Sequence, residues 1–455
     1  MSVEFTPRPY QQHALSFLRR VPRANLWAGM GMGKSSVVLT LLKELEPPDP
    51  VLVIAPLRVA RSVWPQEAEK WRHLAGMRIV AITGTTGERI DALRTRADLH
   101  TVNYDVLPWL VETLGADRWP FRTVIADEST RLKGFRTRQG TARAGSLRGI
   151  AHHRVLRWIN LTGTPAPNGL IDLWGQQWFI DGGAALGRSF TAFRDRWFGK
   201  PAWAGQYGPL IPMPYAQKQI EEALAPSTMS INPADWFDLK APIVNDVFVD
   251  LPPAARAAYR KMERDFFVQL REGTIEAPTA AAKTIKLLQL ASGAVYHDDK
   301  TWEFVHDEKM DALRSVVEEA SGANILVAYQ FRHELERLTR AFPHARVLGA
   351  RRDEDDWNAG RIPLLLAHPQ SAGHGLSLQH GGNHIAFVGH DWNLESYQQI
   401  IERIGPVRQM QSGYDRPVFI HHILARGTMD ETVMQRRRSK RAVQDLLMEA
   451  MKAAG

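Results

Sequence analysis

The chain of 455 residues contains no cysteine, so neither a disulfide framework nor a thiolate metal or redox centre can be built from it. Nor is there an uninterrupted apolar run near the ~20 residues a bilayer span requires, or a charged-then-apolar leader at the N-terminus. A soluble, unexported, cytoplasmic protein with no membrane partner is therefore expected. Histidine is present, but the adjacent pairs His152–His153 and His421–His422 are not at metal-ligand spacing; a polar turn and a strand end are the readings they support. Short repeats and low-complexity tracts are also missing, which leaves two or three ordinary domains with buried cores.

A net charge of +8 favours a polyanionic partner without specifying any sequence. Two clusters concentrate it: Arg131, Lys133, Arg136, Arg138, Arg143 and Arg148, then Arg436, Arg437, Arg438, Lys440 and Arg441. For the second, a solvated helix face and a nucleic-acid contact are evenly matched.

The richest stretch is AGMGMGKS, Ala28 to Ser35. Gly29, Gly31 and Gly33 lack a Cβ, so the backbone can wrap around a phosphate and aim its N–H groups inward. Lys34 would neutralise outer phosphates, and Ser35 would hold Mg²⁺ through its hydroxyl. Asn25 to Trp27 end a short strand before the loop, and Val38, Leu41, Leu42 and Leu45 fall at helical spacing after it, so a helix N-terminus faces the anion. The first glycine of the usual pattern is Ala28 here. A glycine-rich turn with a stray lysine is the bland alternative, and the flanking strand and helix count against it.

DEST at Asp127 to Thr130 follows a second apolar strand, Val124 to Ala126, whose carboxyl end is where ligands bind in open α/β sheets. Asp127 would coordinate Mg²⁺, and Glu128 would orient or deprotonate the attacking water. Together the two motifs predict hydrolysis of a nucleoside triphosphate.

Residues 1–170 alternate strand and helix patterns, with buried parallel strands at Val51–Ala55, Ile79–Ile82, Val124–Ala126 and Ile159–Leu161. This predicts a doubly wound α/β domain. Residues 171–295 form a helical insertion and bridging region, Trp-, Phe-, Gly- and Pro-rich from about 171 to 245, with helices at Ala254–Leu270 and Thr279–Ala291. Strand signals return at Ile325–Tyr329, Ile362–Ala367, Ile385–Val388 and Val418–Ile423, so residues 296–455 make a second α/β domain. It has no phosphate loop of its own, which predicts a single nucleotide site. The acidic run Asp353–Asp356 reads as a solvated loop.

The order of motifs resembles the superfamily-two nucleic-acid-dependent ATPases, and within them the Swi/Snf-type branch, nearly end to end. PRPYQQHAL (Pro7–Leu15) is similar to the adenine-recognising segment, with Gln11 as its reader. VLVIAPLRV (Val51–Val59) and TVNYDVL (Thr101–Leu107) resemble strand-contacting segments, which implies nucleic-acid contacts at Arg58, Asn103 and Tyr104. LTGTPAPN (Leu161–Asn168) resembles the coupling motif, where Thr162 and Thr164 would link phosphate site to nucleic acid. SAGHGLSLQHG (Ser371–Gly381) resembles the segment touching both backbone and nucleotide, implying Ser371, His374 and Gly375. HDWNLESYQQIIERIGPVRQ (His390–Gln409) resembles the arginine-finger region; it departs from pattern, because Pro406 stands where the second arginine is usual, so Arg403 and Arg408 are both candidates, Arg403 the better aligned.

The resemblance implies two RecA-like lobes with a small, mainly helical insertion, ATP and Mg²⁺ as cofactors, and movement along double-stranded DNA. It also implies a compact bacterial or phage form, a monomer or transient assembly on DNA. In the insertion, Trp197, Phe198 and Trp203 with Arg194, Arg196 and Lys200 could clamp nucleic acid, although aromatics in such a place more often form a core. Three other functions fit the same motifs: a strand-separating DNA or RNA helicase, for which no wedge element is recognisable; an ATP-gated binding switch; and the motor of a separate nuclease, methyltransferase or replication partner.

Overall fold

A computed structural model of the chain describes residues 3–137, 141–200, 210–271, 277–297, 299, 301–372 and 376–451. It divides into two compact units, Met1–Asp238 with Lys440–Gly455, and Leu239–Ser439. The division falls inside the stretch read from sequence as insertion and bridge.

In the first unit the large sheet is built from β1 (Arg23–Ala28), β2 (Val51–Ala55), β3 (Ile79–Ile82), β4 (Leu99–Asn103), β5 (Thr123–Asp127) and β6 (Arg157–Thr162). Two short strands, β7 (Phe198–Gly199) and β8 (Ile211–Pro212), pair antiparallel by themselves, and β9 (Thr228–Ile231) joins the large sheet. Its order is β3-β4-β2-β5-β6-β1-β9, and every pairing is parallel. VLVIA and TVIAD are buried at every position, as strands covered on both faces must be, which is why VLVIA and the VIA within TVIAD read as unbroken apolar runs. The edge strand β9 lies in the stretch where the sequence shows little alternation. TMSI has only two large apolar residues, and burial of all four comes from pairing with β1.

Helices Leu173–Asp181, Phe190–Trp197 and Ala216–Leu224 follow the sheet's sixth strand. Their aromatics pack: Trp174, Phe179, Phe193 and Trp197 are buried in the same core as β2, β5 and β6. Trp197 and Phe198 thus take the packing role, while Trp203 lies outside the described residues.

The second unit holds β10 (Ile243–Val249), an antiparallel pair β11 (Ala294–Tyr296) and β12 (Trp302–Phe304), then β13 (Ile325–Ala328), β14 (Arg346–Val347), β15 (Leu364–Ala367), β16 (His384–Phe387) and β17 (Phe419–Ala425). Its large sheet runs β10-β17-β16-β13-β15-β14, again all parallel. The C-terminal helix, Met429–Ala450, starts here; its Asp430 forms a fully buried ion pair with Lys309 at 2.7 Å, and the same ammonium donates to the Val388 carbonyl at 3.0 Å. From Lys440 onward its residues are counted with the first unit.

Two local expectations are corrected. The acidic run is helical, Arg351–Asn358: Asp353 accepts the Gly349 and Ala350 amides as a cap, and Asp356 is enclosed by Arg346 and Arg361, both at 2.5 Å. His421 and His422 lie within β17 rather than at its end; His422 is buried between Tyr397 and Asp246, at 2.9 and 2.8 Å. Among the described residues no helix is long and apolar enough to cross a membrane, and no group of His, Cys, Asp and Glu is arranged to hold a metal by itself.

Candidate functional site

Sheet order explains how distant motifs meet in the first unit. Because β6 lies between β5 and β1, the loops leaving the carboxyl ends of these three strands are neighbours: Ala28–Gly33 after β1, Asp127–Glu128 after β5 and Thr162–Asn168 after β6.

After β1 the chain turns through Gly31 and Gly33, both at positive φ, into helix α2, Lys34–Leu45. Gly33 is needed for its backbone, and its missing side chain leaves room for Gln11. Its φ of +73° is left-handed, and a Cβ there would stand 2.5 Å from Gln11 Nε2. Gln11 sits in helix α1, Pro9–Arg20, where its Oε1 accepts the Arg8 amide at 2.9 Å and closes the first turn, while Nε2 points to the Met32 carbonyl at 3.4 Å. The adenine-segment residue is thus packed on the glycine loop. Lys34 Nζ donates to the Ala28 and Gly29 carbonyls at 2.7 and 3.3 Å, which folds the ammonium along the loop.

Asp127 ends β5 with its carboxylate buried. Oδ2 accepts the Trp64 indole N–H at 3.0 Å and Oδ1 the Glu128 amide at 3.1 Å. Burial raises its pKa above the ordinary carboxylate range, and the Lys34 charge, the indole and the amide act in the opposite direction. Glu128 is half-buried and left-handed at φ 55°, a conformation that costs a non-glycine residue about 1–2 kcal/mol. The Tyr104 hydroxyl supports that turn by donating to the carbonyls of Asp127 at 2.9 Å and Glu128 at 3.3 Å.

The third loop completes the arrangement. A Cβ on Gly163 would come within 3.2 Å of the Ala28 carbonyl, so its backbone rests on the phosphate loop. Thr162 Oγ1 accepts the Thr164 amide at 3.0 Å. Beneath, Gln176 joins motifs: it accepts the Ser129 hydroxyl at 2.9 Å and donates to the Pro165 and Asp172 carbonyls at 2.8 and 3.1 Å. Asn160 on β6 and Asn25 on β1 extend the network at 2.9 Å. Buried amides satisfied this fully hold backbone segments in one register.

Of the residues implied as nucleic-acid contacts, Asn103, Tyr104 and Thr162 are buried and Arg58 is half-buried. In the first basic cluster Arg136 is committed internally, over the Phe190 ring at 3.4 Å, and Arg138 is outside the described residues.

In the second unit Ser371 is exposed, whereas His374 and Gly375 lie outside the described residues. Arg403 is buried, with Nη1 donating to the Leu376 carbonyl at 3.1 Å; Arg408 is half-buried, with Nη1 on Ser377 Oγ at 3.2 Å. Burial lowers the Arg408 guanidinium from its ordinary pKa, and Glu402 and Glu354 oppose the shift. Arg437 is no surface cation: it is buried and paired with Asp391 at 2.9 Å.

Trp64, Tyr104 as a support, and Gln176 are what the sequence reading missed. Trp64 stands 63 positions before its partner, with no spacing rule to connect them.

A glycine loop feeding a helix, a carboxylate pair on the next-but-one strand and a second all-parallel sheet define a helicase-like P-loop ATPase. The chain belongs to the SNF2-related family, whose domain matches residues 10–299. It is a nucleic-acid-dependent ATPase. It is 56% identical over 456 residues to protein p41 of Acyrthosiphon pisum secondary endosymbiont phage 1, covering 98% of this chain and 99% of that one. The TATA-binding protein-associated factor BTAF1 of Arabidopsis thaliana is 24% identical over 98% of this chain, which spans only 25% of that protein. Among solved structures, the Sulfolobus solfataricus SWI2/SNF2 ATPase core in complex with dsDNA aligns at TM-score 0.43 and 20% identity, covering 99% of this chain and 95% of the other.

Proposed function

We propose that the protein is an ATP-driven translocase that moves along double-stranded DNA without separating its strands. The observation that carries the reading is the meeting of the Ala28–Gly33, Asp127–Glu128 and Thr162–Asn168 loops at the carboxyl ends of the first sheet's strands, with Gly163 seated on the phosphate loop. The net charge of +8 suits a phosphate backbone, and the Swi/Snf-type motif order favours duplex DNA.

Lys34 and the loop amides bind the β- and γ-phosphates, with Gln11 at the adenine. Ser35 and Asp127 would hold Mg²⁺; the buried Asp127 carboxylate, one donor on each oxygen, keeps lone pairs for it. Bound there, the ion would neutralise phosphate charge. Glu128, turned out of the strand direction by its left-handed backbone, orients the attacking water and accepts its proton. Arg403, with Arg408 as alternative, stabilises charge on the transferred phosphoryl group.

The test is ATP turnover with duplex DNA, single-stranded DNA and RNA side by side, followed by third-strand displacement from a DNA triplex. Duplex should stimulate most and the triplex should be resolved, while a forked duplex stays paired. Lys34→Ala should lose hydrolysis and weaken ATP binding; Glu128→Gln should bind ATP and fail to turn over. Efficient fork unwinding without triplex displacement would make the protein a helicase, and full turnover by Glu128→Gln would remove that residue from water activation.

A further inference from the structure

The Thr162–Asn168 loop is held from a side that no motif announces. One flank rests on the phosphate loop through Gly163. The other meets the end of the chain: Gln444 Nε2 donates to the Gly163 carbonyl at 3.4 Å, and Lys440 Nζ donates to Asn168 Oδ1 at 3.1 Å. Lys440 and Gln444 are one helical turn apart and share a face. Asn168 is a fixed point in turn, since its amide donates to the buried Asp172 carboxylate at 2.8 Å.

What anchors the helix is apolar. Leu447, Met448 and Met451 are buried in the first unit's core, with Val443 packed against it, and the Ser230 hydroxyl reaches Met448 Sδ at 3.5 Å. Inside the loop the Thr164 amide bonds Thr162 Oγ1, but the Thr164 hydroxyl is buried with no hydrogen-bond partner among the described residues, and the remaining restraints come from Gln176 beneath it and from the helix. External restraints therefore decide its set.

We propose that Lys440 and Gln444 are positioning residues for ATP turnover. The apolar stripe docks the segment, and the two polar side chains fix the loop and, through Gly163, the phosphate loop, without touching nucleotide. The inference rests on the reading of Ala28–Ser35 and Asp127–Glu128 as the hydrolytic site.

The experiment uses the full chain with saturating duplex DNA and Mg²⁺, measuring kcat, KM for ATP and the thermal unfolding midpoint. Gln444→Met keeps the length and the packing but removes the donor to the Gly163 carbonyl without burying a charge. It should lower kcat by about fivefold, the scale of one lost hydrogen bond, with KM changed by less than about twofold and the midpoint unmoved. Lys440→Ala should do the same more mildly, and Lys440→Arg should restore turnover because a donor is returned. Wild-type kcat in both loss variants would overturn the proposal. So would a joint fall of kcat, ATP affinity and midpoint, the mark of a purely structural contact. Lys34→Ala, run alongside, separates the two layers: turnover surviving in that variant refutes the hydrolytic-site reading itself and takes this inference with it.

Discussion

Arg403 and Arg408 pose the sharpest question at the scale of single residues. Both guanidiniums are tied to the Leu376–Ser377 segment, Arg403 through a backbone carbonyl and Arg408 through a hydroxyl. We expect Arg403→Ala to lower DNA-stimulated kcat by ~10³-fold or more with a smaller change in nucleotide affinity, and Arg403→Lys not to rescue it, because a point ammonium lacks the planar fork. Arg408→Ala should be milder. Near-normal turnover in both alanine variants would mean that neither is the finger. At this scale the sequence showed the residues whose chemistry is local: the glycines, Lys34 and the Asp127–Glu128 pair announce themselves by type and neighbours. Trp64 and Tyr104 could not be found that way. Each acts on Asp127 or Glu128 across the sheet, and the segment holding Tyr104 resembled a nucleic-acid contact, whereas its hydroxyl is spent on two carbonyls.

Among elements, the helix Arg332–Ala341 carries a testable cost. His333 is fully buried, both ring nitrogens lack a partner among the described residues, and it stacks on Phe331 at 5.4 Å. Burial, reinforced by Arg337 and Lys309, pushes its pKa down to about 3; burial likewise takes His306 to about 4, against the pull of the Leu290 carbonyl. The unfolded chain takes up these protons near pH 6.5, the folded one only near 3 to 4. Stability should therefore be level above about pH 7 and fall as pH drops from about 6.5, by up to about 1.4 kcal/mol per unit for each histidine. Urea midpoints at pH 7.5, 6 and 5 should show this, with a shallower decline in His333→Phe; parallel declines would show that His333 is not responsible. Legibility of elements follows burial. Val51–Ala55 reads correctly to the residue because a strand covered on both faces is apolar throughout, and the half-buried edge strand Ile79–Ile82 does so because its four residues are apolar as well. The strand Thr228–Ile231 and the helix Arg351–Asn358 did not, since pairing with β1 makes the first and caps with arginine partners make the second.

For the whole molecule, the proposed grip on DNA through phosphates makes ionic strength the revealing variable. The DNA concentration for half-maximal ATPase should rise steeply with salt, the log–log slope growing by roughly 0.9 per phosphate contact. A flat response would place binding elsewhere than on the backbone. The C-terminal helix has a different consequence, in time rather than in space. Strands β1 to β6 and β9 are all made by Ile231, yet Leu447, Met448 and Met451, which fill out their core, come only after the whole of Leu239–Ser439. At ribosomal speeds of about 5–20 residues per second, that intervening stretch takes roughly 10 to 40 s to synthesise. For that interval the nascent nucleotide-binding unit has an apolar seat with no occupant, and a chain arrested before residue 447 keeps it open.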